Sequence, residues 1–237
     1  MKKTLFTILG IILLVFNVLA QSNEPAKPRK LNVGITGGPS IDWLTQKNDH
    51  YDKGGIILGV RYGVTLDINL TNDENYYVTT GVKIEHTGGK EKYKFFHDNF
   101  LGENVLYSKK YSAIFLCIPT GIKLKTPSFN NFVIAGNAGL SHAFALNSKE
   151  KIRIQGESGM LNLNKVEYKD NSFFKESLFA GLGLEYIIKD NFRVNLMINY
   201  NYTFTNYHNR KALSVFDARE RLKANPSAVE FIFGLFF

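Results

Sequence analysis

The chain has 237 residues, a formal net charge of +8, 14% aromatic residues and a single cysteine. One cysteine excludes an internal disulfide framework. After the first twenty residues, no run of about 18 apolar residues remains that would predict a transmembrane helix.

The N-terminus has the pattern of a secretory signal peptide. Lys2 and Lys3 form its basic region, an apolar run follows, and the small residue Ala20 precedes Gln21. An N-terminal membrane anchor is the alternative, but the apolar run is short for one. We therefore predict a signal peptide over residues 1–20, a flexible periplasmic lead-in over 21–30 and one β-barrel domain over 31–237.

Eight extended segments follow the lead-in, each long enough for a tilted strand of about 9–11 residues that crosses a bilayer. They cover residues 31–41, 56–70, 76–86, 111–125, 132–145, 177–188, 193–204 and 228–237. In the second segment, apolar or aromatic residues at even positions from Leu58 to Leu70 alternate with glycine, polar or charged residues. Period-2 alternation favours strands and does not fit a helix.

The predicted connections alternate in length. Residues 71–75, 126–131 and 189–191 are short and turn-like, whereas 42–55, 87–110, 146–176 and 205–227 are long and polar. Short periplasmic turns that alternate with long extracellular loops are typical of outer-membrane barrels. A soluble sandwich has no reason for this regularity. The sequence predicts an all-β, eight-stranded antiparallel up-and-down transmembrane β-barrel, exported to the outer membrane of a Gram-negative bacterium.

The final segment predicts an apolar strand face that turns toward lipid. Phe231, Phe233, Leu235 and Phe237 share one parity with Val229. We interpret this terminal aromatic strand as an assembly signal for the barrel-insertion machinery.

Three segments resemble motifs of the PorT-like outer-membrane β-barrel family. Residues 115–126 (FLCIPTGIKLKT) are similar to its x-E-I-P-L-x-L-K-x-K strand, with Cys117 where the family often has Glu. Residues 33–40 resemble its glycine-rich first strand, and residues 177–186 its G-x-G-x-E-Y strand. The resemblance implies an eight-stranded barrel like OmpX or the OmpA transmembrane domain. One branch of the family serves type IX secretion.

Charged residues occupy the inward parity of the predicted strands. They are Arg61, Asp67, Lys83, Glu85, Lys123, Lys125, Glu185, Arg193 and Glu230. These charges would line a selective pore or pair to fill the barrel. We favour a plug, because eight strands enclose an interior that side chains just fill. A turn near Asp73 would place Arg61 opposite Glu85.

The loop 205–227 carries a basic patch. Its cations are Arg210, Lys211, Arg219, Arg221 and Lys223. Such a patch attracts anionic headgroup phosphates, so lipid, lipopolysaccharide and surface polysaccharide are the expected partners and nucleic acid is not. Simple solvated charge is the equal alternative. We expect a monomer.

The sequence indicates no catalytic, cofactor or metal site. His86, Ser112 and His142 share the lipid-facing parity, but we expect His142 opposite about Leu116. Ser112 would then lie four residues along, roughly 13 Å away. Pro119 predicts a bulge or bend, and Cys117 a small core residue. The leading hypothesis is a closed, non-enzymatic barrel with interacting surface loops; the alternative is a transport or secretion accessory.

Overall fold

Eleven antiparallel strands make up the computed structural model, which describes residues 30–49, 51–71, 74–95, 104–156, 159–162, 166–167, 170–189, 192–209 and 221–237. The strands are β1 (Leu31–Gln46), β2 (Tyr51–Lys53), β3 (Ile57–Asn69), β4 (Tyr76–Phe95), β5 (Val105–Lys125), β6 (Phe132–Gly156), β7 (Gly159–Asn162), β8 (Val166–Glu167), β9 (Phe174–Lys189), β10 (Phe192–Thr203) and β11 (Ala224–Phe236). The predicted signal peptide and most of the lead-in lie outside the described residues. No helix in the described part of the chain is long and apolar enough to span a membrane.

Eight long strands form a closed ring. Each pairs with its neighbours in chain order, and the ring closes where β11 pairs with β1, with Leu235 opposite Ile35. The three short strands are additions that the sequence did not predict: β2 extends the sheet beside β4, and β7 and β8 pair with β6. The predicted antiparallel β-barrel is therefore confirmed.

The two faces of the ring differ as the alternation predicted. Large apolar side chains cover the outside, and among them Leu58 is 77% exposed, Leu182 70% and Phe233 58%. Polar and charged side chains point to the inside. Successive residues of a strand point to opposite faces, so the alternation along the sequence places the two kinds of side chain on different faces. Phe231 and Leu235 also face outward, while Phe237 joins its backbone to Val33 through two hydrogen bonds.

The connections differ in length at the two ends of the ring. Short turns join β3 to β4, β5 to β6 and β9 to β10. In the first two turns, Glu74, Asn130 and Asn131 adopt positive φ angles, a region that asparagine enters more readily than most residues. The long connections lie at the opposite end, in agreement with the predicted asymmetry.

Three strands continue well past their predicted ends at the long-loop side. β4, β5 and β6 contain 20, 21 and 25 residues, about twice the length that a bilayer requires. Residues 87–95, 105–114 and 147–156 form a sheet that extends beyond the ring, and we call it the projecting sheet. Much of the predicted loops 87–110 and 146–176 is therefore strand.

The predicted bulge at Pro119 is wrong. The bulge lies between Ile114 and Phe115, where the β5–β6 register shifts. At Pro119 the β4–β5 register is the same on both sides, and Thr80 donates a side-chain hydrogen bond to the Pro119 carbonyl at 2.9 Å. Cys117 packs with Ala113, Phe115 and Ala143, as a small core residue would.

Candidate functional site: the barrel interior and the projecting sheet

A buried charge cluster centred on Arg61 fills the barrel near its long-loop end. Nη2 of Arg61 donates to Oδ1 of Asp42 at 2.9 Å. Nε of Arg61 lies 3.0 Å from Glu230 and 3.5 Å from Glu85. Arg61 and Glu85 are directly opposite in the β3–β4 register, as the turn near Asp73 predicted. Lys175 completes the group by donating to Glu85 at 2.8 Å.

A second buried cluster, centred on Lys123, fills the short-turn end. Nζ of Lys123 lies 2.8 Å from Asp67 and 2.5 Å from Glu185. Lys125 lies 2.7 Å from the other oxygen of Glu185, and Asn195 donates to Glu185 at 3.0 Å. Each carboxylate is thus neutralised and hydrogen-bonded, which is the condition for burying charge at a tolerable free-energy cost.

Two predicted interior residues stand outside these clusters. Arg193 lies 2.7 Å from Glu74 in the β3–β4 turn. Lys83 is half-buried in the interior and has no ion pair with any residue that the structure describes. Asp42 and Lys175 were not expected in the interior, because both lie in segments predicted to be loops. The parity of Asp42, two residues after the inward Ser40, was the signal that could have found it.

Side chains occupy most of the interior between the clusters. The ammonium groups of Lys123, Lys125 and Lys175 lie over the rings of Phe236, Tyr77 and Phe115, at 4.6, 4.3 and 4.7 Å from the ring centres. One interior cavity measures about 50 Å³ and is bordered by polar side chains such as Thr65 and Asn199. A space of this size holds only a few water molecules.

A third polar cluster lies beyond the ring, under the inner face of the projecting sheet. The Glu91 carboxylate accepts from Gln46 at 2.6 Å and from Tyr111 at 2.8 Å, and Nε2 of His208 lies 2.8 Å from it. Burial alone would raise the pKa of Glu91. The hydrogen bond and charge of His208, together with the bonds from Gln46 and Tyr111, hold that pKa below its ordinary value.

Apolar and aromatic contacts surround this cluster. Leu44, Tyr111, Tyr207 and Ala224 form one buried group, and Tyr51, Tyr93 and Leu222 form another. The connection between β10 and β11 therefore packs against the projecting sheet on both sides of residues 210–220.

The predicted basic loop patch is only partly described. Arg221 and Lys223 are exposed, whereas Arg210, Lys211 and Arg219 lie outside the described residues. Another group of cations, in segments predicted to be loops, occupies the outer face of the projecting sheet. Lys90, Lys110 and Lys151 stand opposite one another there on three adjacent strands.

His142 and Ser112 of the rejected catalytic hypothesis are far apart, although His86 and Ser112 border one groove on the outer wall. His142 lies opposite Ile118 rather than Leu116, so Ser112 is six residues along, about 20 Å away. His142 instead contacts Glu176 at 3.3 Å, and His86 stacks on Tyr62. Within the described ranges, no group of three or more His, Cys, Asp or Glu residues could hold a metal ion.

A closed antiparallel ring with an apolar outer wall and a polar, charged interior is the architecture of outer-membrane β-barrel proteins. The sequence matches the outer membrane protein beta-barrel domain over residues 19–209. This chain belongs to that family, and its place is the outer membrane of a Gram-negative bacterium.

Solved structures of several outer-membrane barrels are similar to this chain at low sequence identity. Neisserial surface protein A is 10% identical, with 88% of this chain and 96% of that chain covered and a TM-score of 0.45. OprG from Pseudomonas aeruginosa is 11% identical, with 90% and 99% covered and a TM-score of 0.41. Ail of Yersinia pestis is 13% identical, with 88% and 100% covered and a TM-score of 0.33. No curated protein matches the sequence. Because these scores are below 0.5, the assignment depends on the family match and on the ring itself.

Proposed function

We propose that this protein is a closed, non-enzymatic barrel that displays the projecting sheet at the cell surface. The observation that supports the proposal is a set of buried ion pairs that cross the interior and join strands that are not neighbours on the wall. The Lys175–Glu85 contact at 2.8 Å connects β9 to β4, although β5 and β6 separate them on the wall. An ion that passed this level would have to displace paired, buried charges, which is costly.

Conductance of the purified full-length protein in a planar lipid bilayer tests this proposal. We expect no stable channel at any voltage that the bilayer tolerates. An open porin inserted under the same conditions serves as the positive control. A steady, ion-selective conductance would overturn the closed-barrel proposal and favour a narrow pore.

Export through a signal peptide cleaved after Ala20 belongs to the same proposal, as do a monomeric state and delivery by the barrel-insertion machinery. Peptide mass spectrometry of protein from outer-membrane fractions should find an N-terminal peptide that begins at Gln21, as glutamine or as its cyclised pyroglutamate form. A mature chain that retains the apolar segment would contradict the proposed cleavage.

A secretion accessory is the second candidate, and the specific observation that favours it is the PorT-like pattern of residues 115–126. In the structure this stretch forms the wall of β5, with Lys123 and Lys125 in the buried cluster. Deleting the gene and measuring exported proteins in the culture medium separates the two candidates. A general loss of secreted proteins would favour the accessory role, whereas unchanged secretion would favour the surface barrel.

A further inference from the structure

The outer face of the projecting sheet carries a row of three lysines on adjacent strands. Lys90 of β4 is opposite Lys110 of β5, which is opposite Lys151 of β6. Side chains opposite each other in antiparallel strands have Cβ atoms about 5 Å apart, and like charges at that distance destabilise the sheet. No ion pair joins these three lysines to a carboxylate among the residues described. The row therefore has no counter-charge from the residues that the structure describes.

Further cations share this face. Lys92 and Arg153 flank Ser108 in the next row outward, and Lys149 is opposite Ser112 in the row nearer the ring. Among the described residues of this face, carboxylates lie only toward the edges, where Asp52 is opposite Lys92 and Glu167 is opposite Lys149. The centre of the face thus has a net positive charge.

The lysine row lies just beyond the apolar band of the barrel wall. Along β5 the outward side chains change from Ile118 and Ile114 to Ser112 and Lys110. Lys110 is four residues before Ile114 in the chain, about 13 Å farther from the ring along the strand. On β6, outward Leu140 and Leu146 are likewise followed by Lys149 and Lys151. Long lysine side chains at this position reach the headgroup layer of the outer leaflet.

A groove of about 300 Å³ opens on the outer wall at this boundary. Leu58 and Ile114 line its apolar side, and Lys110, Lys149 and Ser112 line its polar side. Leu58 is the most exposed large apolar residue of the described wall. A groove with both kinds of lining fits a lipid, whose phosphate would contact the lysines while its glycerol and upper acyl chain contact leucine and isoleucine. A soluble polyanion would use only the cationic part.

Packing on the inner face holds Lys90 and Lys110 of the lysine row in place. Tyr93 stacks on Tyr107 with ring centres 5.1 Å apart, and Tyr51 contacts Tyr93 at 5.2 Å. Tyr111, the neighbour of Lys110, is fully buried and bonded to Glu91. The backbone that carries Lys90 and Lys110 is therefore held in place before any ligand binds, which reduces the entropy cost of binding.

We propose that this face binds the phosphate of an outer-leaflet lipid headgroup, with Lys90, Lys110 and Lys151 around the phosphate and Leu58 beneath it. The binding rests on the proposed function only in that the projecting sheet must stand outside the bilayer at the cell surface. It does not require that the barrel be closed.

Native mass spectrometry of the full-length protein tests the proposal. The protein is released from detergent micelles that contain equal amounts of phosphatidic acid and phosphatidylcholine with identical acyl chains. We expect the wild-type protein to retain phosphatidic acid preferentially. The Lys90→Gln/Lys110→Gln/Lys151→Gln variant should bind it about fivefold more weakly for each lysine removed. For the double variant Lys90→Gln/Lys110→Gln, the matched control is Lys30→Gln/Lys47→Gln, which removes the same charge from exposed positions outside this face and outside the predicted basic loop patch.

The triple variant must first show the wild-type β-sheet circular dichroism, and Lys110→Gln alone provides a milder version of the same test. Equal retention by the wild-type protein and the lysine variants would overturn the proposal. An equal loss in the control variant would also overturn it, because net charge rather than the lysine row would then explain binding.

A competition experiment identifies the source of the phosphate. Inorganic phosphate and glycerol phosphate should displace phosphatidic acid only weakly, and Leu58→Ser should lower retention of the lipid without changing the effect of these competitors. Displacement by inorganic phosphate as efficient as by the lipid would overturn the lipid assignment. A barrel that conducts but still selects phosphatidic acid through the lysine row would refute the closed-barrel proposal and leave this one standing.

Discussion

Nζ of Lys175 lies 2.8 Å from Oε2 of Glu85, although the two residues belong to strands separated by two others on the barrel wall. Their contact crosses the interior instead of following the wall. Glu85 also lies 3.5 Å from Arg61, which contacts Asp42 and Glu230. One continuous charge cluster thereby connects β1, β3, β4, β9 and β11.

Replacing Arg61 with alanine should destabilise the folded barrel by about 3–5 kcal/mol, because it leaves three buried carboxylates without their shared cation. The free energy of unfolding can be measured by urea titration of the protein in lipid vesicles, followed by tryptophan fluorescence. The exposed Lys47→Ala variant is the control and should change stability by less than about 0.5 kcal/mol. A stability of Arg61→Ala within that same range would contradict the role assigned to the cluster.

A double-mutant cycle on Glu85 and Lys175 should give a coupling energy within about 0.5–3 kcal/mol, as for other contacting residues. Glu85→Gln and Lys175→Met each remove the ion pair while keeping similar side-chain volume, and the double variant should lose less than the sum of the two. Lys175→Met combined with Asp67→Asn is the matched cycle, since Asp67 belongs to the other cluster. If the losses of stability from the Glu85 and Lys175 substitutions are additive, the contact between the two residues does not contribute to stability.

Acidification should weaken the contact between Glu91 of β4 and His208 of the connection between β10 and β11. The pKa of Glu91 in the folded protein is below its ordinary value, so its stabilising effect is present above the unfolded-state pKa, about 4.3. That effect is lost as the pH falls through the lower folded-state pKa. Hydrogen exchange of the amides of residues 204–209 should therefore accelerate at low pH.

The Glu91→Gln variant isolates this effect, because an amide cannot be protonated in the same pH range. Exchange in that variant should already be faster at neutral pH and should depend less on acidification. Glu167→Gln, an exposed carboxylate on the opposite face of the projecting sheet, is the control. The same acid response in wild type and in Glu91→Gln would assign it to another group.

Phe237→Asp should reduce the amount of protein in the outer membrane. Phe237 packs against Phe192 with ring centres 5.3 Å apart, and its backbone closes the seam to β1 through Val33. A carboxylate on this face costs free energy near lipid and alters the terminal aromatic strand that we interpret as the assembly signal. Immunoblots of outer-membrane fractions measure the yield. Phe132 is exposed in another strand, so Phe132→Asp is the control for the cost of a carboxylate near lipid. An equal loss of both variants from the outer membrane would contradict an assembly signal in the last strand.

Strand faces and local registers followed from the sequence, because side-chain alternation and short turns are local properties. The turn near Asp73 was enough to place Arg61 opposite Glu85. The ends of β4, β5 and β6 were not predictable in the same way. Lys90, Lys92 and Lys94 alternate with apolar or acidic residues. The strands were predicted from their apolar, lipid-facing side chains, so a stretch with lysines at the outward positions was predicted to be a loop.

Contacts between distant segments were the least predictable part of the site. His208 meets Glu91 from a connection that follows a different hairpin, and no period in the sequence encodes that approach. Asp42 and Lys175 were missed for a related reason, since each lies where a strand continues past the apolar band. The lysine row also depends on the bulge at Ile114. The bulge shifts the β5–β6 register, so that Lys151 of β6 faces outward opposite Lys110.

The seam between β1 and β11, with Gly34 opposite Phe236, has a consequence for the order of folding. Hairpins such as β3–β4 close short loops, whereas this seam joins residues near the two ends of the chain and has the largest loop-closure entropy of the ring. We therefore expect the seam to form last. Until it does, both edge strands expose unpaired amide and carbonyl groups, which lipid cannot satisfy. Insertion into the membrane and closure of the ring must then proceed as one concerted event.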